Sequence, residues 1–300
     1  MNIVCATDGN YLPHCVIMLE TLRKQIGHLN PSIFLIHHSA DSNELIKAFA
    51  YLQSIYSSIS FLPASVEKLR DFPVSGHGSV AAYLKLMIPD ILPFGLDKVL
   101  FIDSDTVVVN RLSDLWAMDL KGKSLAAVGE HKFCCLDHGY EHGEYFNSGV
   151  MLIDLGRWRE SKIVEKGLVF AKENPHRLRH WDQDVLNAVF QGDWLAIDER
   201  WNACPHLFGL NGAYDLSPNS LTESENTAIK NPAIVHFAGP GPLKPWHASC
   251  THPYKQVYLN AKSTTPWKLT PLLNAPQPKW TRLRKRILSK LAAKRIQPDL

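Results

Sequence analysis

A short apolar strand that runs straight into two closely spaced carboxylates constrains this chain more than any other feature. Residues 99–102 (Val-Leu-Phe-Ile) are all apolar and favour β structure, which indicates a strand buried in a parallel sheet. Asp103 and Asp105 follow at once. Because side chains alternate along an extended chain, both carboxylates would point the same way from the carboxyl end of the strand. Ligands of open α/β sheets bind at that edge.

Two carboxylates that converge at one edge repel each other unless a cation lies between them. Oxygen ligands suit Mg²⁺ or Mn²⁺, so the pair predicts a site for one of these ions. A turn with solvated carboxylates explains the same residues, and a second Asp-x-Asp occurs at Asp182 and Asp184. On local sequence alone both interpretations stay open.

The first 110 residues alternate between strand-like and helix-like patterns. Such alternation predicts a doubly wound parallel sheet. Strands are expected at residues 3–6, 33–37 and 59–62; helices are expected after residue 10, after a cap at Asp41, and from a cap at Ser79 to Pro89.

The second half is less regular. We expect strands at 125–128, 150–155, 194–197 and 233–237 to complete the same sheet, a helix over 158–172, and a helix capped by Asp182 that covers 185–190. Residues 145–149 are predicted to form a polar turn that leads into a strand.

The composition, 45% hydrophobic and 20% charged over 300 residues, fits a large folded domain, which we place at 1–265. No apolar run approaches the ~20 residues that span a bilayer, and the N-terminal residues lack the pattern of a signal peptide. We therefore expect a cytoplasmic protein. The six cysteines contain no C-x-x-C pair, so free thiols in a reducing compartment are expected.

Residues 266–300 are predicted to form a Pro-rich linker followed by a basic amphipathic tail. Eight Lys or Arg and no acid occur between residues 279 and 296, which leaves the rest of the chain net acidic and argues against a nucleic-acid partner. Apolar residues recur in the tail at helical spacing, as in helices that lie on anionic membrane surfaces. A disordered, solubilising tail is the alternative. The apolar positions are Trp280, Leu283, Ile287, Leu288 and Leu291.

Four further groups of polar residues stand where ligands of an α/β sheet bind, although each has an ordinary structural explanation. Asp8 and Asn10 follow the first strand, where a plain turn would also place them. Lys85 would suit a phosphate or a solvated helix face. Asp182 and Gln183 would suit a sugar or a helix cap. His236, at the end of a strand, is a plausible third metal ligand or a structural histidine.

Five motifs, in order along residues 1–260, resemble glycosyltransferase family 8, in particular its bacterial lipopolysaccharide galactosyl- and glucosyltransferases. They are Ala-Thr-Asp (6–8), Phe-Ile-Asp-Ser-Asp (101–105), Phe-Asn-Ser-Gly-Val (146–150), Asp-Gln-Asp (182–184), and His-Phe-Ala-Gly (236–239) with Lys-Pro-Trp (244–246). The resemblance implies a Rossmann-like GT-A fold with a mixed, mainly parallel sheet. It also implies a UDP-galactose or UDP-glucose donor, a saccharide acceptor, Mn²⁺, and transfer with retention at the anomeric carbon.

The resemblance assigns roles by position. It implies that the metal is held by Asp103, Asp105 and His236. It implies that the nucleotide or diphosphate is contacted by Ala6, Asp8, Asn10, Lys85, Ser104, Gly239 and Lys244. It implies that Asn147, Asp182 and Gln183 face the donor sugar, and that Asp182 and Gln183 are catalytic. Two departures from the family pattern affect these roles: Glu130 replaces the usual Asp, and the loop 239–244 is two residues longer than usual, which puts the role of Lys244 in question.

Retention requires either a carboxylate nucleophile or attack by the acceptor on the face that UDP leaves, and the sequence does not choose between them. A phosphatase of the haloacid dehalogenase type is the rival enzyme, because it also has Asp-x-Asp after a strand, and Gly192-Asp193 with Asp198 resembles its later metal motif. A non-catalytic sugar-binding protein would explain the fold but not the convergent metal ligands.

Overall fold

The structure is a computed structural model that describes residues 1–26, 30–38, 41–73, 80–210 and 221–275. The predicted cap at Ser79, the neighbouring loop residues 75–78, and the basic tail at 279–296 lie outside these ranges. Residues 266–275 lie inside them, although the predicted linker starts at residue 266. Trp267 is buried, and its Nε1 donates a hydrogen bond to Glu44 Oε2 at 2.7 Å. Backbone hydrogen bonds of 2.8 and 2.9 Å also join Leu273 to Trp246 and Ala248, so the ordered part of the chain continues past residue 265.

Seven of the described strands form a mixed, mainly parallel sheet: β1 (Asn2–Asp8), β2 (Ser32–His38), β3 (Ser58–Pro63), β4 (Lys98–Ile102), β6 (Leu125–Gly129), β7 (Phe146–Asp154) and β8 (Trp194–Ile197). Their order across the sheet is β3-β2-β1-β4-β7-β6-β8. All run parallel except β7, which is antiparallel to both of its neighbours. The predicted fold class is confirmed.

The reversed direction of β7 brings its first residues to the edge where the parallel strands end. Ile102 pairs with Val150, and the amide of Asp103 donates to the carbonyl of Gly149 at 2.8 Å. The predicted polar turn at 145–149 is therefore wrong from residue 146 onward, because these residues already belong to a buried strand. Polar side chains can occur there because they face a cavity and one another.

A small second sheet pairs β5 (Thr106–Val108) with β9 (Ile234–His236) in antiparallel register. The expectation that residues 233–237 complete the main sheet is thus wrong. Thr106 lies opposite His236, and the amide of Phe237 donates to the carbonyl of Asp105 at 2.9 Å. This pairing brings the histidine next to the two carboxylates.

Helices cover both faces of the main sheet. The described α-helices are α1 (Leu12–Gln25), α2 (Ser42–Ile55), α3 (Ile88–Ile91), α4 (Ser113–Ala117), α5 (Lys132–Asp137), α6 (Leu155–Glu160), α7 (Ile163–Glu173), α8 (Asp182–Val189), α9 (Glu223–Lys230) and α10 (Lys255–Lys262). One core cluster packs α1 and α2 against one face of the sheet, and a second packs a 3₁₀ helix (Val80–Met87) with α6, α7 and α8 against the other.

Three helix predictions need correction. Pro89 does not end a helix but lies in the first turn of α3, where its missing N–H costs no hydrogen bond. The helix expected over 158–172 is two helices, separated where Lys162 adopts a left-handed φ of 52°. Asp182 does not cap α8; it is the first residue of that helix.

None of the helices in the described part of the chain has the length and apolar composition needed to cross a bilayer.

Candidate functional site

Two carboxylates and one imidazole converge beyond the end of β4. Asp103, Asp105 and His236 each offer a ligand atom, and these atoms lie within 4.8 Å of one another. The two aspartates come from the strand end, whereas the histidine comes from β9, about 130 residues later. Two carboxylate oxygens and an imidazole nitrogen suit Mn²⁺ or another first-row divalent ion.

Burial and neighbouring charges give the two aspartates different pKa values. Burial and the charge of Asp105, opposed by Lys85, raise the pKa of Asp103 to about 6. Burial also raises the pKa of Asp105, but Lys244 and His236 outweigh it and hold that pKa below the usual range. Lys244 Nζ contacts Asp105 Oδ2, and His236 Nε2 lies 3.2 Å from Asp105 Oδ1. Asp105 is therefore the carboxylate that stays charged throughout the physiological range.

The orientation of His236 suits a metal ligand. Its Nδ1 lies 3.0 Å from the amide oxygen of Asn202 and donates to it, which leaves Nε2 for a metal. The backbone of Gly149 lies beneath the ring. A Cβ added at Gly149 would lie 2.6 Å from His236 Nδ1. This position therefore requires glycine for the histidine to keep its place.

Gly149→Ala is expected to displace His236 and to weaken Mn²⁺ binding by about tenfold to a hundredfold, the usual loss when a ligand's support is removed. Calorimetric titration with Mn²⁺ measures this change. Gly95→Ala is the matched control, since a Cβ there meets no atom within 4 Å. Equal Mn²⁺ affinity in Gly149→Ala and wild type would contradict the assignment of His236 as a metal ligand.

A buried lysine joins the end of β4 to the start of α8. Lys85 Nζ lies 3.3 Å from Asp103 Oδ2 and 2.9 Å from Asp182 Oδ2, and it donates to Ser148 Oγ at 3.2 Å. Burial lowers the pKa of Lys85, but the two carboxylates raise it above its ordinary value. Lys85 is thus a fixed positive charge at the base of the site, and the alternative of a solvated helix face is excluded.

A chain of hydrogen bonds holds the amide side chains in place. Gln183 Nε2 donates to Glu130 Oε1 at 3.2 Å, and Asn147 Nδ2 donates to the same oxygen. Asn202 Nδ2 donates to Asn147 Oδ1 at 2.7 Å, so the chain continues to His236. Gln183 Oε1 accepts from the amide of Ser148 at 3.0 Å. The longer carboxylate of Glu130 thus connects the two predicted sugar-facing amides.

Apart from Asn202, which lies behind His236, these groups line one cavity of about 1480 Å³. A drug-sized ligand needs roughly 300–1,000 Å³, so this cavity has room for two ligands side by side. The lining includes every residue that the sequence analysis assigned to a site: Ala6, Asp8, Asn10, Lys85, Asp103, Ser104, Asp105, Asn147, Asp182, Gln183, His236, Gly239 and Lys244. The structure brings these residues together, whereas their individual roles stay predictions.

Comparison with known proteins identifies the family. The family model described as "Glycosyl transferase family 8" matches residues 2–250. The chain belongs to glycosyl transferase family 8. The resemblance found in the five motifs is therefore confirmed, and the molecule is a glycosyltransferase with the fold of that family.

Individual relatives of this family 8 glycosyltransferase agree. General stress protein A of Bacillus subtilis is 30% identical over 276 residues, which cover 89% of this chain and 94% of that protein. The lipopolysaccharide 1,2-glucosyltransferase of Escherichia coli K12 is 24% identical over 89% of this chain and 79% of its own length. Among solved structures, the galactosyltransferase LgtC in complex with donor and acceptor sugar analogues has a TM-score of 0.77 at 24% identity, covering 95% of this chain and 100% of that one.

The phosphatase alternative finds no support in this glycosyltransferase. Asp193 precedes β8, which runs parallel to β4, so it lies at the sheet edge opposite to Asp103. Its Oδ2 accepts a hydrogen bond from Ser124 Oγ at 2.5 Å. Asp198 caps a 3₁₀ turn. Among the described residues, neither aspartate contributes to the cavity lining.

Several residues that shape the site of this family 8 glycosyltransferase were not predicted from the sequence. Asn202 orients His236, yet it is the last residue of a short 3₁₀ helix (Glu199–Asn202), and no local sequence pattern marks it. Ser148 donates its hydroxyl to Asp182 Oδ2 at 2.9 Å. Of the two carboxylates in the second Asp-x-Asp, the described cavity lining includes Asp182 but not Asp184. The role of Asp184 is to bind His138, Tyr145 and the amide of His180.

His14 in the cavity wall was also missed. Its ring stacks on Trp246 with centroids 3.6 Å apart, and its Nδ1 lies 2.7 Å from the hydroxyl of Tyr258. Burial lowers the pKa of His14 from 6.5 to about 3. The neutral imidazole is therefore the form that the fold favours.

The low pKa of His14 predicts a pH-dependent loss of stability. In the unfolded chain His14 takes up a proton below pH 6.5, whereas in the folded protein it does so only near pH 3. Stability present above pH 6.5 is thus lost as the pH falls, by up to about 1.4 kcal/mol between pH 6.5 and 5.5. Denaturant unfolding of wild type and His14→Phe at pH 7 and 5.5 measures this. Identical pH dependence in both proteins would contradict it, since all other histidines are shared.

Proposed function

We propose that the protein transfers galactose or glucose from UDP-galactose or UDP-glucose to a saccharide acceptor, with retention at the anomeric carbon. The observation that carries the proposal is one cavity where two carboxylates with an imidazole, a buried lysine and hydrogen-bonded amide side chains converge. The names of the relatives, a lipopolysaccharide glucosyltransferase and a galactosyltransferase, support a hexose donor and a lipopolysaccharide or lipooligosaccharide acceptor.

The donor diphosphate would lie between the ends of β1 and β4. Asp8 Oδ1 accepts from the amides of Asn10 and Tyr11 at 3.0 and 2.9 Å, which shapes the turn that faces the nucleotide. Ser104 Oγ donates to the carbonyl of Ala6 at 3.3 Å and holds the two strand ends together. Gly239 adopts a φ of 97°, so the loop before Lys244 turns where other residues would be strained.

The residues present fit a divalent cation. Asp103, Asp105 and His236 would hold Mn²⁺, or Mg²⁺ less well because of the imidazole, and the ion would supply Lewis-acid stabilisation of the negative charge on departing UDP. Lys244 adds positive charge at Asp105, which supports a role beside the diphosphate despite the longer loop. Lys85 adds a second positive charge next to the other aspartate, with its Nζ 3.3 Å from Asp103 Oδ2.

The sugar would meet Asn147, Asp182 and Gln183, whose side chains are fixed by hydrogen bonds before any ligand arrives. Polar groups that are already oriented can stabilise the developing oxocarbenium charge without reorganisation. Asp184 has both oxygens engaged, so the carboxylate nucleophile of a two-step route would be Asp182. The one-step route needs only acceptor attack from the face that UDP leaves. Both routes retain configuration.

Hydrolysis of UDP-galactose and UDP-glucose in the presence of Mn²⁺ tests the donor. We expect slow release of UDP from one of them, loss of release on chelation, and no turnover of p-nitrophenyl phosphate. Turnover of the aryl phosphate alone would overturn the proposal in favour of a phosphatase, and binding of both UDP-sugars without hydrolysis or transfer would point to a sugar-binding protein.

We also propose that residues 1–275 form the catalytic body and that the basic tail at 279–296 attaches it to the inner face of the cytoplasmic membrane, near a lipid-linked acceptor. The proposal rests on the sequence of the tail. Each basic residue contributes about 1 kcal/mol at an anionic surface before ordering costs and screening by salt.

Truncation after Pro278 is therefore expected to release the protein from anionic liposomes and to leave UDP-sugar hydrolysis unchanged. Sedimentation with phosphatidylglycerol vesicles at low and high salt measures attachment, and neutral vesicles serve as the control. If the truncated protein sediments as well as the full chain, the tail is not the anchor.

A further inference from the structure

A second cluster of side chains that could bind a metal lies in the wall of the same cavity. Cys134, His138 and His180 each offer a ligand atom, and these atoms lie within 4.8 Å of one another. Cys134 lies in α5, and the amide of His138 donates to the carbonyl of Cys134 at 3.2 Å, so four residues of helical chain place both on one face. His180 comes from the segment that precedes α8.

A carboxylate behind the cluster orients one of the imidazoles. Asp184 Oδ1 lies 2.6 Å from His138 Nδ1, and it also accepts the hydroxyl of Tyr145 at 2.7 Å. Asp184 Oδ2 accepts the amide of His180 at 2.5 Å. A carboxylate that binds one ring nitrogen of a histidine leaves the other for a metal and raises its basicity, which is the usual support of a metal-bound histidine.

The donor atoms distinguish this cluster from the one at the end of β4. A thiolate with two imidazoles selects Zn²⁺ or another thiophilic ion, whereas two carboxylates with one imidazole suit Mn²⁺. Cys134 and His180 both line the cavity, and His180 is exposed. A three-ligand site therefore keeps its fourth position open towards the cavity.

We propose that Cys134, His138 and His180 form a zinc site, distinct from the site of the family's metal, with Asp184 as its supporting carboxylate. The ion would tie α5 to the segment directly before Asp182 and Gln183. This would fix the start of α8 in the wall of the cavity. The proposal does not depend on the identity of the donor sugar.

Titration of the metal-free, reduced full-length protein with Co²⁺ tests the site without any activity assay. Cobalt bound to a thiolate shows a charge-transfer absorption in the near ultraviolet that oxygen and nitrogen ligands do not produce. We expect this absorption in wild type, at one ion per chain, with displacement by Zn²⁺. We expect it also in the Asp103→Asn, Asp105→Asn double variant, because the two sites share no ligand.

Variants of the ligands and of their neighbours provide the decisive comparison. Cys134→Ser should abolish the absorption, and His180→Ala, a change at an exposed side chain, should weaken Co²⁺ binding by about tenfold or more. Cys135→Ser and His142→Ala are matched controls that should retain the wild-type titration. Absence of the absorption in wild type, or its persistence in Cys134→Ser, would overturn the proposal. If Cys134→Ser does not fold, wild-type affinity in His180→Ala would overturn it.

Discussion

Asp105→Asn is expected to lower sugar transfer by roughly a hundredfold to a thousandfold, the usual cost of removing a preorganised group that stabilises transition-state charge. Of the two carboxylates after β4, Asp105 is the one whose pKa lies below the usual range, so it supplies a full negative charge at working pH. Asparagine keeps the shape but removes that charge. Transfer rates at saturating Mn²⁺, with Mn²⁺ affinity from calorimetry, measure the effect.

Loss of folding must be separated from loss of chemistry in this variant. Lys244 is buried and contacts Asp105, and a buried ion pair broken on one side costs about 3–5 kcal/mol of stability. The thermal unfolding midpoint of Asp105→Asn should therefore be measured, and the transfer rates of the variant and wild type should be compared below that temperature. Asp90→Asn, which removes an exposed partner of Lys68, is the matched control and should be near neutral. Transfer by Asp105→Asn within tenfold of wild type would refute its role as a metal ligand.

Gln183→Ala is the second large expected effect, a fall in kcat of about tenfold to a hundredfold with UDP affinity nearly unchanged. Gln183 is buried in the cavity wall and links the amide of Ser148 to the carboxylate of Glu130. Without Gln183, the Oε1 of Glu130 keeps the hydrogen bond from Asn147 Nδ2 but loses the one from Gln183 Nε2. Both amide side chains are predicted to face the donor sugar. The hydrogen bonds that would be lost involve Ser148 and Glu130, whereas the nucleotide is proposed to bind at Asp8.

Steady-state kinetics with saturating donor and calorimetric titration with UDP separate the two quantities for Gln183. Gln53→Ala, at an exposed position of α2, provides the control for a general effect of removing a glutamine side chain. If UDP binding is lost while turnover stays normal, Gln183 lies on the nucleotide side of the donor and the assignment is wrong.

Local patterns in the sequence predicted the parts of the fold that are set by neighbours along the chain. The strands predicted at 33–37 and 194–197 lie within β2 and β8, and Asp41 caps α2 by accepting the amides of Asn43 and Glu44. The edge where Asp103 and Asp105 emerge was also predictable, because alternation of side chains and strand order follow from general rules.

The remaining features depend on contacts between distant residues, which no local pattern records. The polar residues at the start of β7 look like a turn in the sequence, because only the folded structure shows that Asn147 and Ser148 face a cavity. His236 pairs with Thr106 across 130 positions, and Asp182 looks like a helix cap although it forms an ion pair with Lys85. The spacing of the cysteines likewise does not mark Cys134, because one of its two histidine neighbours, His180, comes from another segment of the chain.

The small sheet of β5 and β9 also sets an order of events during synthesis. The ribosome delivers Asp103 and Asp105 long before His236, and domains fold from their N-terminal side as the chain emerges. The main sheet can close once β8 has left the ribosome, but His236, the third predicted metal ligand, arrives only with β9. A nascent chain that stops before residue 234 would thus hold all seven strands of the main sheet but only two of the three predicted metal ligands, so we expect tight binding of the ion only after translation has passed this point.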